Sequence, residues 1–170
     1  MRFFNIIAFT SVFIFLSGCN GANNVRLDES QTEISGSFSH LNIDGDSATQ
    51  IAGTALYHVT PSTQIGPMLA LQFVDTDGGD STSTGLGGLL RHNLAVEGAS
   101  IPFVQAGISL LNVSGDFGDG NGQQFNIGAG IRSPLTDSAF IVTSLDWNRL
   151  SGDGDSENFV TIGSGISVRF

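Results

Sequence analysis

The sequence predicts an all-β fold, an eight-stranded antiparallel up-and-down β-barrel that crosses a membrane, on three observations. The last twelve residues, 159–170 (FVTIGSGISVRF), alternate: Val160, Ile162, Ile166, Val168 and Phe170 share one parity, broken only by Ser164. Thr161, Gly163, Gly165, Ser167 and Arg169 share the other, with Phe159 its only apolar member. Strand side chains alternate between faces, so this stretch has one apolar face and one small, polar face. The second observation is that seven further segments of similar length repeat the plan. The third is that the connections between segments alternate in chemistry.

The first segment, Thr32–Ile43, has the least clear parity. The second, about 49–59, sets Ile51, Ala55, Tyr57 and Val59 against Gln50, Thr54 and His58. In the third, about 64–74, Ile65, Pro67, Leu69, Leu71 and Phe73 oppose Gly66, Met68, Ala70 and Gln72. The fourth, about 81–92, places Leu86 and Leu90 opposite Gly85, Gly87, Leu89 and Arg91. The fifth, about 101–113, sets Val104, Ala106, Ile108 and Leu110 against Phe103, Gln105, Gly107 and Ser109. The sixth, about 123–132, is the cleanest, with Phe125, Ile127, Ala129 and Ile131 facing away from Gln124, Asn126, Gly128, Gly130 and Arg132. The seventh, about 139–149, divides Ile141, Leu145 and Trp147 from Phe140, Val142, Ser144, Asp146 and Asn148. Each segment is about the ten residues that a tilted strand needs to cross a bilayer.

Connections after the second, fourth and sixth segments (VTPSTQ, NLAVEGAS, SPLTDS) are compact and carry few charges. Those after the first, third, fifth and seventh (DGDSA, DTDGGD, SGDFGDGNG, SGDGDSEN) are rich in Asp and Gly. The two ends of the barrel therefore differ, and an even strand count brings both termini to the plain end. A barrel and its inverse share one alternation pattern, so which parity faces inward stays open at this level.

Composition agrees with strands and turns. The chain has 23 Gly, 4 Pro and no sustained helical apolar period after residue 30. All six basic residues are Arg, against 16 Asp plus Glu, for a formal charge of −10. Such an excess argues against nucleic acid or an anionic inner-leaflet surface as partner.

The start of the chain has its own chemistry. Met1-Arg2 leads into the apolar run FFNIIAFTSVFIFL and then Leu16-Ser17-Gly18-Cys19, which reads as a secretory signal over 1–18. Leu-Ser-Gly-Cys resembles the lipobox of bacterial lipoproteins, in which the cysteine carries the lipid. Cys19 is the one cysteine of the chain, so no disulfide can form within it. The alternative is an ordinary signal peptide beside a chance cysteine. Residues 19–31 read as a polar tether, leaving 32–170 for the barrel.

An apolar-alternating last strand ending in Phe170 resembles the terminal strand of bacterial outer-membrane β-barrels, and the small class that includes OmpA transmembrane domains, OmpX and opacity-type proteins. The resemblance spans about 32–170 in pattern. It implies an outer-membrane location, plain turns in the periplasm, acidic loops outside, and Phe170 as a signal for the barrel-insertion machinery. Lipid and lipopolysaccharide are the partners it implies.

Eight strands enclose a space that side chains can fill. Arg91, Arg132 and Arg169 share the polar parity, and buried guanidinium groups need carboxylate partners, which Glu33 and Asp146 can supply. Glu33 is expected to pair with Arg169 across the closing strands. The acidic loops, with Asp44, Asp46, Asp75, Asp77, Asp80, Asp116, Asp119, Asp153, Asp155 and Glu157, are candidates for Ca²⁺ or Mg²⁺, although none carries an EF-hand pattern. Solvated turns are the plainer reading of the same residues. His40, His58 and His92 show no metal-ligand spacing, so no metal site and no cofactor are expected from them. No catalytic motif is present, and the expected role is structural or surface interaction without a wide pore. The alternatives are a lipid-anchored, soluble lipocalin-like barrel binding a small apolar ligand, and a lipid-modifying enzyme.

Overall fold

The computed structural model describes residues 25–43, 46–76, 78–116, 119–152 and 155–170. It has ten strands: β1 (Val25–Arg26), β2 (Thr32–Ile43), β3 (Asp46–His58), β4 (Thr63–Thr76), β5 (Gly79–Asn93), β6 (Glu97–Gly98), β7 (Ile101–Gly115), β8 (Gly120–Pro134), β9 (Ala139–Gly152) and β10 (Asp155–Arg169). Eight of them close a barrel in the order β10-β2-β3-β4-β5-β7-β8-β9, every pair antiparallel. Each sequence neighbour is a spatial neighbour, and β10 seals the barrel on β2 with Arg169 opposite Glu33. Phe170 continues the seam, donating to Thr32 O and accepting from Thr32 N.

The alternation resolves into inside and outside. Large apolar residues lie exposed on the outer wall, among them Leu69, Leu86, Ile108, Ile127, Leu145 and Ile166. Glu33, His58, Gln64, Arg91, Arg132 and Asp146 are buried within. This is the reverse of a water-soluble barrel, and it removes the lipocalin-like alternative, which requires an apolar interior. From Ile65 to Phe73 the outer apolar band climbs about 20 Å along the axis at ordinary strand rise and tilt. Exposed Phe73, Phe125 and Trp147 stand at one edge of the band, and Tyr57 and Phe170 at the other.

Two features depart from the sequence reading. The Asp-Gly connections are not long loops. Ladder pairs continue to Asp75↔Asp80 and Thr76↔Gly79, and to Val113↔Gly120, so much of the acidic sequence is strand. Gly79 and Gly115, at φ 135° and 149°, supply the backbone conformations at these ends that other residues rarely adopt.

The second departure is that residues 25–31 of the predicted tether take part in the fold. Val25 pairs with Gly98 and Arg26 with Glu97, Leu27 N donates to Val96 O, and Ser30 and Gln31 exchange backbone bonds with His58. Val25 and Leu27 are buried with Ile101, Phe103, Phe140 and Val142. The polar reading missed this because two apolar residues among Asn, Arg and Asp carry no period. Their burial depends on a partner surface more than 70 residues away. The result is a strap across the plain-turn end of the barrel.

Candidate functional site

Among the described residues, the buried charged side chains gather in the lumen. Its base lies beneath the strap. Glu33, on β2, is 1 % exposed and receives two guanidinium groups: Arg91 Nη1 lies 3.4 Å from Oε1, and Arg132 Nη2 binds Oε2. Gln64 Nε2 donates to Glu33 Oε2 at 3.1 Å and lies 2.8 Å from His58 Nε2. Arg132 Nη1 also donates to Asn93 Oδ1 at 3.2 Å. One carboxylate thus satisfies cations from β5 and β8, on different sides of the barrel. A buried ion needs this, because charge away from water is tolerated only when paired and hydrogen-bonded.

Aromatic faces complete the base. The Arg91 guanidinium lies 4.5 Å from the centroid of Phe103, and that of Arg132 4.5 Å from Phe140. The two rings are on the inner parity, where apolar residues are otherwise few. They exclude water from the ion pairs and contribute cation–π attraction.

Above the base the chemistry becomes amide and hydroxyl. Arg91 Nε and Nη2 both donate to Gln105 Oε1 at 3.2 Å, and Gln105 Nε2 donates to Asp146 Oδ1 at 2.8 Å. Ser144 Oγ donates to Asp146 Oδ2 at 2.6 Å. Asn148 Nδ2 donates to Thr161 Oγ1 at 3.0 Å, and Gln124 Nε2 to Asn148 Oδ1 at 2.8 Å. A cavity of about 180 Å³ remains beside these groups.

Of the five predicted network residues, Glu33, Arg91, Arg132 and Asp146 therefore share one system, with Asp146 joined through Gln105. Arg169 does not belong to it. The register does place Arg169 opposite Glu33, but its guanidinium turns to the barrel end, donating to Arg26 O and Asp137 O, each at 2.6 Å, with the Phe140 ring 5.6 Å away. Glu33 is already saturated by Arg91 and Arg132, whereas the strap offers Arg169 a free carbonyl. His58, Gln64, Asn93 and Gln105 were not singled out as partners. Their inner parity placed His58 and Gln105 in the lumen, but parity does not say which of several polar groups meet across it.

At the acidic end, Asp75 and Asp80 are cross-strand partners, and Asp116 Oδ2 accepts from Asp80 N at 3.2 Å. The neighbouring Asp75 carboxylate, helped by Asp116, holds Asp80 above the ordinary carboxylate range. Asp119 is exposed. Cys19, Asp44, Asp77 and Asp153 lie outside the described residues, as do the side chains of His40, Asp46, Asp155 and Glu157. No group of three or more potential metal ligands is assembled among the described residues. His58 faces inward and is buried, whereas His92 lies on the outer side and is 3.1 Å from Thr63 Oγ1, so the two do not share a site.

No family model and no curated protein matches the chain. Solved structures do. Neisserial surface protein A aligns with a TM-score of 0.62 at 12 % identity, covering 82 % of this chain and 96 % of that one. The outer membrane protein OprG from Pseudomonas aeruginosa aligns at 0.60 and 13 % identity, covering 85 % and 98 %. The N-terminal β-barrel domain of Pseudomonas aeruginosa OprF aligns at 0.56 and 22 % identity, covering 84 % and 98 %. The likeness runs over nearly the whole barrel and concerns its fold.

Proposed function

We propose that this chain is an integral protein of the bacterial outer membrane with a structural or surface-interaction role, acting through its acidic turns rather than through a channel or a catalytic site. The observation that carries the reading is the inverted polarity: a closed barrel with an apolar outer belt around a charged, internally paired lumen. Hydrocarbon is the solvent that such an exterior fits. The outer membrane is favoured among membranes because proteins of the same fold carry that description.

In this reading the strap end faces the periplasm, and Phe170, at the seam, serves recognition by the insertion machinery. Cys19 carries a lipid in the adjacent leaflet. The acidic turns face outward, where divalent cations would bridge their carboxylates to phosphates of lipopolysaccharide. The buried base and the strap leave no wide path along the axis. Nucleic acid is not a partner, given the excess of negative charge.

Extraction of isolated outer membranes tests this proposal. The protein should resist carbonate and high salt, require detergent, and shift in gel mobility on boiling. A Cys19→Ala form should behave in the same way. Release of that form into the soluble fraction, without a heat shift, would refute insertion and leave the lipid as the only anchor.

A further inference from the structure

We infer that the lumen above the Glu33 network is a binding cup for a small uncharged polyol, of the size of a single sugar ring. The cavity of about 180 Å³ is several times the room that one water needs. It is sealed below by Arg91, Leu89 and Val142, and its Gln50, Gln124 and Asn148 walls lie toward the acidic end, from which a solute would enter.

The cup exists because of specific residue choices. A Cβ added to Gly128 would stand 1.9 Å from Asp146 Oδ1, and one added to Gly107 2.4 Å from Asn126 Oδ1. These two glycines let Asp146 and Asn126 lie flat along the wall instead of projecting across the axis. The facing wall is built from Ser35, Ser37, Ala52, Thr54, Gly163 and Gly165, none of which reaches far inward. A barrel stabilised only by filling its lumen would place larger side chains there.

The chemistry of the free groups names the ligand class. Asn126 is 7 % exposed and lines the cavity, yet has no hydrogen-bond partner among the described residues. Its amide opens onto the cavity, where it is presented to a solute and not to a neighbour in the barrel wall. Gln50 and Ser37 also face the cavity. The charged groups, in contrast, are already engaged: Arg91 by Glu33 and Gln105, Asp146 by Gln105 and Ser144. A zwitterion or ion would find no free counter-charge in the cup. A polyol, whose hydroxyls both donate and accept, matches amides and hydroxyls that can do the same.

The test uses the detergent-solubilised, ¹⁵N-labelled full-length protein and D-glucose as probe. Side-chain amide signals of Asn126 and Gln50 should shift saturably, while an equal concentration of glycine leaves them unmoved. Asn126→Ala should weaken binding at least tenfold. Gly163→Val and Ser37→Leu, which fill the cup, should abolish it, each scored only if boiling still shifts gel mobility. Shifts that stay linear to ~100 mM glucose, well past a millimolar Kd, would overturn the inference. So would shifts that persist in the filled variants, or saturation by glycine instead of glucose.

Discussion

Glu33 holds the largest single electrostatic debt in the barrel, since its removal would leave two guanidinium groups buried without a counter-ion. Glu33→Gln is expected to destabilise the barrel by about 3–5 kcal/mol, measured by urea unfolding in lipid vesicles. Arg169→Ala, which loses two carbonyl contacts at the part-exposed end, should cost no more than about 1 kcal/mol. A Glu33 loss no larger than that of Arg169 would show that the network is not the stabilising centre of the lumen. Asp80 gives the opposite sign at the other end. Its pKa is raised by Asp75 and Asp116 above the value of the unfolded chain. The folded state therefore binds the proton more readily, and the repulsive penalty present at neutral pH is lost as pH falls through the raised pKa. Asp80→Asn should raise the unfolding midpoint at pH 7, with the gain over wild type shrinking toward pH 4.

Among the elements, the strap is where local sequence and tertiary context differ most. Leu27 is fully buried at the plain-turn end and is held by one main-chain bond from its own amide. Leu27→Asp should release residues 25–31 to proteolysis while the heat-shifted barrel persists, because the eight long strands do not depend on β1 or β6. Retained protection of that segment would mean that the main-chain pairing alone secures it. The barrel strands themselves were largely legible. Thr32–Ile43 matches the predicted first segment at both ends, and the others contain their predicted segments, apart from end residues such as Val59. Their acidic ends were less legible, because Asp and Gly signal turns whether or not the ladder runs on through their neighbours. The Thr, Ser and Asn residues flanking them carry that continuation.

For the molecule as a whole, the belt makes a direct prediction about Trp147, the chain's single tryptophan. It is 40 % exposed on the outer wall and meets Phe125 edge-on, with centroids 6.5 Å apart. In vesicles containing brominated lipids, its fluorescence should be quenched most by labels near the headgroup end of the acyl chain. Quenching by aqueous iodide instead would place this edge of the belt in water. Whole-molecule charge follows the same axis, with Arg91 and Arg132 paired to Glu33 inside and most of the Asp residues concentrated in the sequence of the acidic end.

Alternation, strand length and turn chemistry are local properties, so the sequence by itself determined an eight-stranded up-and-down barrel and the set of side chains on each face. It also placed Glu33, Arg91, Arg132 and Asp146 on one parity. Only the tertiary structure decided that this parity is the inside, because a barrel and its inverse read identically along the chain. Partner choice was likewise tertiary: Arg169 faces Glu33 in register yet turns away, since Arg91 and Arg132 reach the same carboxylate across the lumen. The strap and the cup were decided at that level too. Each depends on surfaces brought together from distant strands, and no period in the sequence records which surfaces will meet.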